Sequence, residues 1–204
     1  MKAFDALREA VFSAAKAAKA AGLCTGGTGN CSMYDRTAGV MAVTPHDFDR
    51  AAKSAADIVL MDLSGNVVDA PEGITPTSEA AFHAAIYRAR EDISGICHTH
   101  APYATVFACL GRELPPVTTE ALLYGKHCPL APYAPAGSVQ LAENIVATLR
   151  EDIFAALLEC HGMITVSKRD VDDAFRMAVH VEETAKVCYR MASLVGLENV
   201  KPNI

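Results

Sequence analysis

The sequence predicts an α/β protein in which amphipathic helices pack on a central β-sheet. Two observations carry this prediction: several segments repeat apolar residues at helical spacing, and short apolar runs lie between them. The chain has 204 residues, 51% of them hydrophobic and 21% charged, which suits a folded domain with a buried core. Since no internal repeat or linker interrupts this pattern, we expect one domain over residues 1–204.

Each element has its own signal. The predicted helices have one apolar side and most have a capping or terminating residue, and with their caps they cover residues 4–21, 77–90, 102–110, 138–149 and 170–194. The predicted strands are short apolar runs at residues 40–43, 58–63, 67–68, 94–99, 155–158 and 163–166. Residues 25–32 contain three glycines and are predicted to form a loop. On the last helix, the predicted packing side consists of Ala174, Met177, Ala178, Val181, Ala185 and Val187.

Charge and composition exclude several classes of function. A formal net charge of −6 disfavours nucleic-acid binding, which needs a basic surface. No apolar stretch reaches the ~20 residues of a membrane span, so we expect a protein that does not enter membranes. The N-terminal segment is charged and lacks the apolar core of a signal peptide, so we expect a cytoplasmic location. The seven cysteines are scattered and form no CxxC pair, which argues against a disulfide framework and against a thiolate zinc site.

The candidate chemistry lies in His98-Thr99-His100. Residues two apart in a strand project from the same face, so the two imidazoles converge. His161 precedes Gly162 in a tight connection, and Glu79 lies in the first turn of a predicted helix. Imidazole and carboxylate are the ligands that zinc and similar ions take in catalytic sites. We therefore predict a divalent metal site.

Other interpretations of these histidines stay open. The pair His98 and His100 can be structural, since a buried histidine can satisfy its ring nitrogens by hydrogen bonds. His83 is an alternative ligand, because it lies four residues after Glu79 on the same helix face. The remaining histidines have no local partner, and we interpret them as surface or packing residues: His46, His127 and His180.

Five short motifs extend this prediction. In this order and at these separations they resemble the class II aldolase/epimerase superfamily, and the resemblance runs over nearly the whole chain. The motifs are Gly26-Gly27-Thr28-Gly29-Asn30-Cys31-Ser32, Thr77-Ser78-Glu79, His98-Thr99-His100-Ala101, Ala131-Pro132-Tyr133 and His161-Gly162.

The resemblance implies a fold, a cofactor and an assembly. The fold would be a three-layer α/β/α domain with a mainly antiparallel sheet and helices on both sides. The cofactor would be zinc, with manganese or cobalt as alternatives, held by Glu79, His98, His100 and His161. The assembly would be a homotetramer with active sites at subunit interfaces, and the substrate a small phosphorylated sugar.

The resemblance also implies a reaction. The aldolases of the superfamily cleave a ketose phosphate such as fuculose 1-phosphate to dihydroxyacetone phosphate and an aldehyde, through an enediolate that the metal stabilises. Glu79 matches the aldolase glutamate that moves the proton, whereas the epimerases tend to carry aspartate there. Alternatives are a ribulose-phosphate 4-epimerase, a decarboxylase of a 3-oxo sugar-acid phosphate, and a binding protein of the adducin-head kind, although such proteins tend to lose the ligands.

Two parts of the substrate site depart from the family pattern. The family binds phosphate with its glycine-rich loop and nearby small polar residues, which correspond here to Gly29, Asn30, Thr44, Thr77 and Ser78. The sequence continues from Thr44 with Pro45-His46-Asp47, where the family has a small hydroxyl residue and glycine, so His46 either meets an anion or faces solvent. For the acid at the far end of the substrate, Glu120 and Tyr124 are both candidates, and each can also be a plain surface or packing residue.

Overall fold

The centre of the protein is an eight-stranded β-sheet, seen in a computed structural model that describes residues 4–150 and 152–202. The strands are β1 (Asn30–Asp35), β2 (Val40–Val43), β3 (Val59–Met61), β4 (Val67–Asp69), β5 (Gly95–Thr99), β6 (Leu130–Ala131), β7 (Ala155–Leu158) and β8 (Gly162–Ser167). Their order across the sheet is β4-β3-β2-β1-β5-β8-β7-β6. Only the β6–β7 pair is parallel among these strands, so the sheet is mainly antiparallel.

Helices cover both faces of the sheet, which makes three layers. They are α1 (Asp5–Ala20), α2 (Phe48–Ala51), α3 (Ala80–Ala89), α4 (Pro102–Cys109), α5 (Val139–Thr148) and α6 (Val171–Val195). The core on one face is formed by α1, α4 and α6, and the core on the other face by α3 and α5. Strand residues alternate between the two cores, as the two-residue period of a strand requires: Cys97 belongs to the first and Ile96 to the second. Both the fold class and the antiparallel sheet are confirmed.

The long helix α6 shows how the sequence pattern maps onto packing. Its buried apolar residues recur every three or four positions: Val171, Ala174, Ala178, Val181, Ala185 and Cys188. Asp170 caps the helix by accepting the backbone N–H of Asp173. The prediction that Val187 packs inward is wrong, because its side chain is 37% exposed and Cys188, one position later, continues the buried stripe.

Other differences arise where local signals are weak. Strand β1 begins at Asn30, inside the segment predicted as a loop, because β2 and β5 pair with it on both sides. The two-residue β6 and a 3₁₀ turn at Thr119–Tyr124 have no apolar period long enough to predict them. Neither Thr77 nor Ser78 caps α3: the cap position is Glu79, whose side chain makes no capping bond.

Among the described helices, none combines the length and the apolar character that crossing a membrane requires.

Candidate metal centre

Two histidines stand at the end of the central strand β5. His98 lies within the strand and is fully buried, and His100 follows Thr99, the last strand residue. Their Nε2 atoms are 3.2 Å apart. Nδ1 of His98 lies 2.8 Å from the carbonyl oxygen of Met163 in the neighbouring β8, so this nitrogen carries the proton and donates it. The hydrogen bond leaves the lone pair on Nε2 of His98 facing the other ring.

The third histidine reaches the same place from the turn between β7 and β8. His161 directly precedes Gly162, the first residue of β8. A Cβ atom at Gly162 would overlap the carbonyl oxygen of Thr99, so glycine is what lets β8 approach the end of β5 this closely. The ring of His161 lies 4.8 Å from that of His98 and 4.9 Å from that of His100, centroid to centroid. One nitrogen of each ring lies within 4.8 Å of the other two, as ligands of one ion must.

Glu79 adds a carboxylate to these three rings. Its side chain is buried, with Oε2 3.3 Å from Nε2 of His98 and Oε1 3.4 Å from Nε2 of His161. Oε2 also accepts a hydrogen bond of 2.8 Å from Nδ2 of Asn30, whereas Oε1 has no hydrogen-bond partner among the described residues. A buried carboxylate oxygen without a partner is costly, and a cation beside it would remove that cost.

The electrostatics of the cluster suit a cation. Burial, followed by the neighbouring His98, lowers the pKa of His100 and of His161 to about 4, so both rings are neutral at pH 7. For Glu79, burial acts to raise the pKa, but the neighbouring His98, the hydrogen bond from Asn30 and the nearby His161 outweigh it and hold the pKa well below its usual range. Neutral imidazoles beside an ionised carboxylate are the protonation states in which these groups bind divalent ions. The residues present therefore fit a zinc-like ion.

His83, the alternative ligand, lies outside the cluster. It is fully buried behind Glu79, where Nδ1 is 2.7 Å from the hydroxyl of Ser32 and Nε2 is 2.5 Å from Oδ1 of Asn30. Sequence reasoning missed this connection. The signal was present, because Asn30 and Ser32 share one face of β1 while Glu79 and His83 share one face of α3.

The glycine-rich loop lies beside the cluster. Gly29 has a φ of +77°, and a Cβ atom there would overlap the thiol of Cys24. The hydroxyl of Thr44 is buried and accepts the backbone N–H of Cys31, which fixes the start of β1. Thr77 is buried, and its backbone N–H donates to the carbonyl oxygen of Thr44. The side chain of Ser78 is exposed.

The departure at His46 and Asp47 changes the surroundings of this loop. His46 is exposed, while Asp47 has a φ of +49° and turns back toward the loop. A Cβ atom at Gly27 would lie 2.9 Å from Oδ1 of Asp47, so a carboxylate stands against the glycines. A cation is also close: the ammonium of Lys19 contacts the carbonyl oxygen of Gly26.

The two candidates for the second acid differ in access. Glu120 is exposed on the 3₁₀ turn, whereas Tyr124, at its end, is fully buried in the core. Burial raises the pKa of Tyr124, which makes it a weaker acid. Within the described residues, neither side chain has a hydrogen bond or ion pair with Glu79 or the three histidines.

Similarities to known proteins span most of the chain. The family described as class II aldolase and adducin N-terminal domain matches residues 9–189. The 5-deoxy-D-ribulose 1-phosphate aldolase of Bacillus thuringiensis serovar kurstaki is 34% identical over 187 residues, covering 92% of this chain and 86% of the relative. The 5-methylthioribulose-1-phosphate/5-deoxyribulose-1-phosphate aldolase of Rhodospirillum rubrum is 35% identical, covering 95% and 85%. A solved L-fuculose 1-phosphate aldolase matches with a TM-score of 0.85 at 34% identity, covering 94% and 88%.

The pKa values of the histidines predict a pH-dependent stability for the metal-stripped protein. His100 and His161 have a pKa of about 4 in the folded state and about 6.5 when unfolded, so between these values the unfolded chain binds more protons. The free energy of unfolding is therefore fully supported above pH 6.5 and falls as the pH falls toward 4. We expect the free energy of unfolding of His161→Gln, measured by urea unfolding at several pH values in this range, to change less steeply with pH than that of the wild type. The difference should correspond to up to about one bound proton.

The matched control is His127→Gln, which changes an exposed histidine. Its free energy of unfolding should change with pH as steeply as that of the wild type. If the free energy of unfolding of His161→Gln changed with pH as steeply as that of the wild type, the neutral state of His161 would be refuted.

Proposed function

Because the chain belongs to the class II aldolase and adducin N-terminal domain family and is an aldolase, we propose that it cleaves a ketose 1-phosphate into dihydroxyacetone phosphate and an aldehyde. The observation that carries the proposal is the convergence of His98, His100 and His161 on one point, with the carboxylate of Glu79 at its edge. A structural histidine cluster would not require a buried carboxylate oxygen without a hydrogen-bond partner.

In this proposal the three histidines hold a divalent ion, zinc by preference, through their Nε2 atoms. A nitrogen donor set with one carboxylate is typical of zinc, and manganese and cobalt can take the same ligands. When bound, such an ion acts as a Lewis acid that stabilises negative charge on a substrate oxygen. Because the rings of His100 and His161 are neutral at pH 7, their nitrogens are available to a metal ion without losing a proton first.

In this proposal Glu79 transfers the proton at C3 of the ketose, the carbon that exchanges its bond to C4 for a bond to hydrogen. In cleavage, the bond between C3 and C4 of the ketose breaks, its electron pair stays on C3, and the C4 hydroxyl loses its proton to become the aldehyde. C3 then receives a proton, and in the reverse direction Glu79 as a carboxylate removes it from dihydroxyacetone phosphate. Among the described residues Oε1 has no hydrogen-bond partner, so this oxygen is free to move the proton.

The phosphate would be held by the glycine-rich loop with Gly29, Thr44, Asn30, Thr77 and Ser78 around it. Of these, Ser78 offers an exposed hydroxyl, and the positive φ of Gly29 is a conformation that lets the backbone turn toward an anion.

Glu120 is the better candidate for the group that takes the C4 proton, because Tyr124 is buried. On the same turn as Glu120, the side chains of Leu122 and Leu123 are 60% and 56% exposed, which supports a subunit interface at this turn. We propose a homotetramer in which Glu120 acts in a site shared between copies. The cysteines are free, which supports a cytoplasmic location.

The substrates of the relatives suggest the first compounds to test. Cleavage of 5-deoxy-D-ribulose 1-phosphate would release acetaldehyde, and cleavage of L-fuculose 1-phosphate would release lactaldehyde, each with dihydroxyacetone phosphate. We expect the zinc-loaded protein to release dihydroxyacetone phosphate from at least one, measured by coupled reduction with glycerol-3-phosphate dehydrogenase. L-ribulose 5-phosphate should give no epimer. If no ketose 1-phosphate yields triose phosphate, the proposed reaction is wrong.

Removing the basic carboxylate should separate proton transfer from metal binding. For Glu79→Gln we expect kcat to fall by a factor on the order of 10², because the amide cannot accept the proton. Metal content, measured by elemental analysis, should stay near that of the wild type because the histidines remain. The control Glu91→Gln changes an exposed glutamate and should keep full activity. Full activity of Glu79→Gln would assign the proton transfer to another group.

A further inference from the structure

A chain of buried hydrogen bonds leads from α3 to the carboxylate of Glu79. Nδ2 of Asn30 donates to Oε2 of Glu79 over 2.8 Å, and Oδ1 of the same amide lies 2.5 Å from Nε2 of His83. On the far side of the ring, Nδ1 of His83 lies 2.7 Å from the hydroxyl of Ser32, which is 2.9 Å from the hydroxyl of Tyr87. The side chains of His83, Ser32 and Tyr87 are fully buried, and that of Asn30 is nearly so.

The chemistry of these groups determines which atom donates and which accepts in each of these hydrogen bonds. An ionised carboxylate only accepts, so the amide nitrogen of Asn30 must face Glu79 and the amide oxygen must face His83. That oxygen needs a donor, so Nε2 of His83 carries the proton. Burial, with the nearby His98, lowers the pKa of His83 to about 3, and a neutral ring has one N–H. Nδ1 then accepts from Ser32, which in turn accepts from Tyr87.

This order of donors and acceptors makes the two oxygens of Glu79 different. Oε2 is held by Asn30, while Oε1 lies 3.4 Å from Nε2 of His161 and has no hydrogen-bond partner in the part of the chain that the structure describes. A carboxylate held at one oxygen cannot rotate freely, so its other oxygen keeps its direction. Glu79 occupies the N-cap of α3 without making a capping bond, and therefore the helix end does not fix this side chain.

We propose that His83 is a positioning residue for the aldolase reaction: through the amide of Asn30 it fixes Oε2 of Glu79 and leaves Oε1 to move the proton. Both ends of the Asn30 side-chain amide are then used within the protein. This inference rests on the proposed function, in which Glu79 carries the proton.

Two substitutions of His83 separate the hydrogen bond from packing. His83→Phe keeps a ring that can stack on Phe82, as His83 does at 4.6 Å between centroids, but it removes both nitrogens. His83→Gln restores an N–H donor near the position of Nε2. We expect kcat of His83→Phe to fall by about tenfold or more with KM and metal content unchanged, and His83→Gln to recover most of the loss. His127→Gln is the matched control, since it changes an exposed histidine, and it should keep wild-type kcat.

Equal kcat values for His83→Phe and wild type would overturn the proposal. Equal losses in His83→Phe and His83→Gln, with wild-type thermal stability, would also overturn it, because packing of the imidazole and not its hydrogen bond would then matter. If His83→Phe fails to fold, the comparison of His83→Gln with wild type and the spectroscopic test below decide.

A spectroscopic test does not depend on activity. Proton–nitrogen correlation NMR of metal-stripped protein labelled with ¹⁵N-histidine reports which ring nitrogen carries the proton, and the His83→Gln spectrum identifies the signals of His83. We expect the tautomer with the proton on Nε2, unchanged as the pH falls from 7 to 5. A proton on Nδ1 would overturn the positioning role even in an active aldolase. The expected tautomer in a protein without aldolase activity would instead refute only the proposed function.

Discussion

The candidate site depends on the close antiparallel pairing of β5 with β8. Gly162 lies so near the backbone of Thr99 that a side chain would not fit between the strands. This approach brings His161, on the turn before β8, against His98 and His100 at the end of β5. The carbonyl of Met163 in β8 also sets the tautomer of His98. The pairing of β5 with β8 therefore both brings the three imidazoles together and leaves the lone pair of His98 on Nε2, facing the other rings.

A second layer of polar groups adapts the carboxylate to this arrangement. Burial alone would disfavour the charge of Glu79, and the nearby His98 and the amide of Asn30 reverse that preference. Hydrogen bonds behind the carboxylate continue through the core to Tyr87, so every buried polar atom in that path has a partner. Oε1 of Glu79, by contrast, has no hydrogen-bond partner among the described residues, which leaves it available for the proposed proton transfer.

The sequence predicts the parts of the molecule that depend on local spacing. Five of the six described helices, most strands and the His98-Thr99-His100 pair follow from periods of 3.6 and 2, whereas the four-residue α2 is too short to show a period. Strand β1 could not be predicted, because its glycine-rich start resembles a loop and only pairing with β2 and β5 makes it a strand. The contacts of His83 with Asn30 and Ser32 were missed as well, since shared faces within β1 and α3 do not show that these two elements lie side by side. The role proposed for Glu120 requires an assembly of several copies, which the spacing of residues in one chain does not reveal.

If His98, His100 and His161 hold one divalent ion, crystals of the zinc-loaded protein measured on both sides of the zinc absorption edge will show it. We predict one anomalous peak per chain, in contact with Nε2 of all three histidines and beside Oε1 of Glu79. A zinc peak elsewhere, or none in this cluster under conditions in which the enzyme is active, would contradict it.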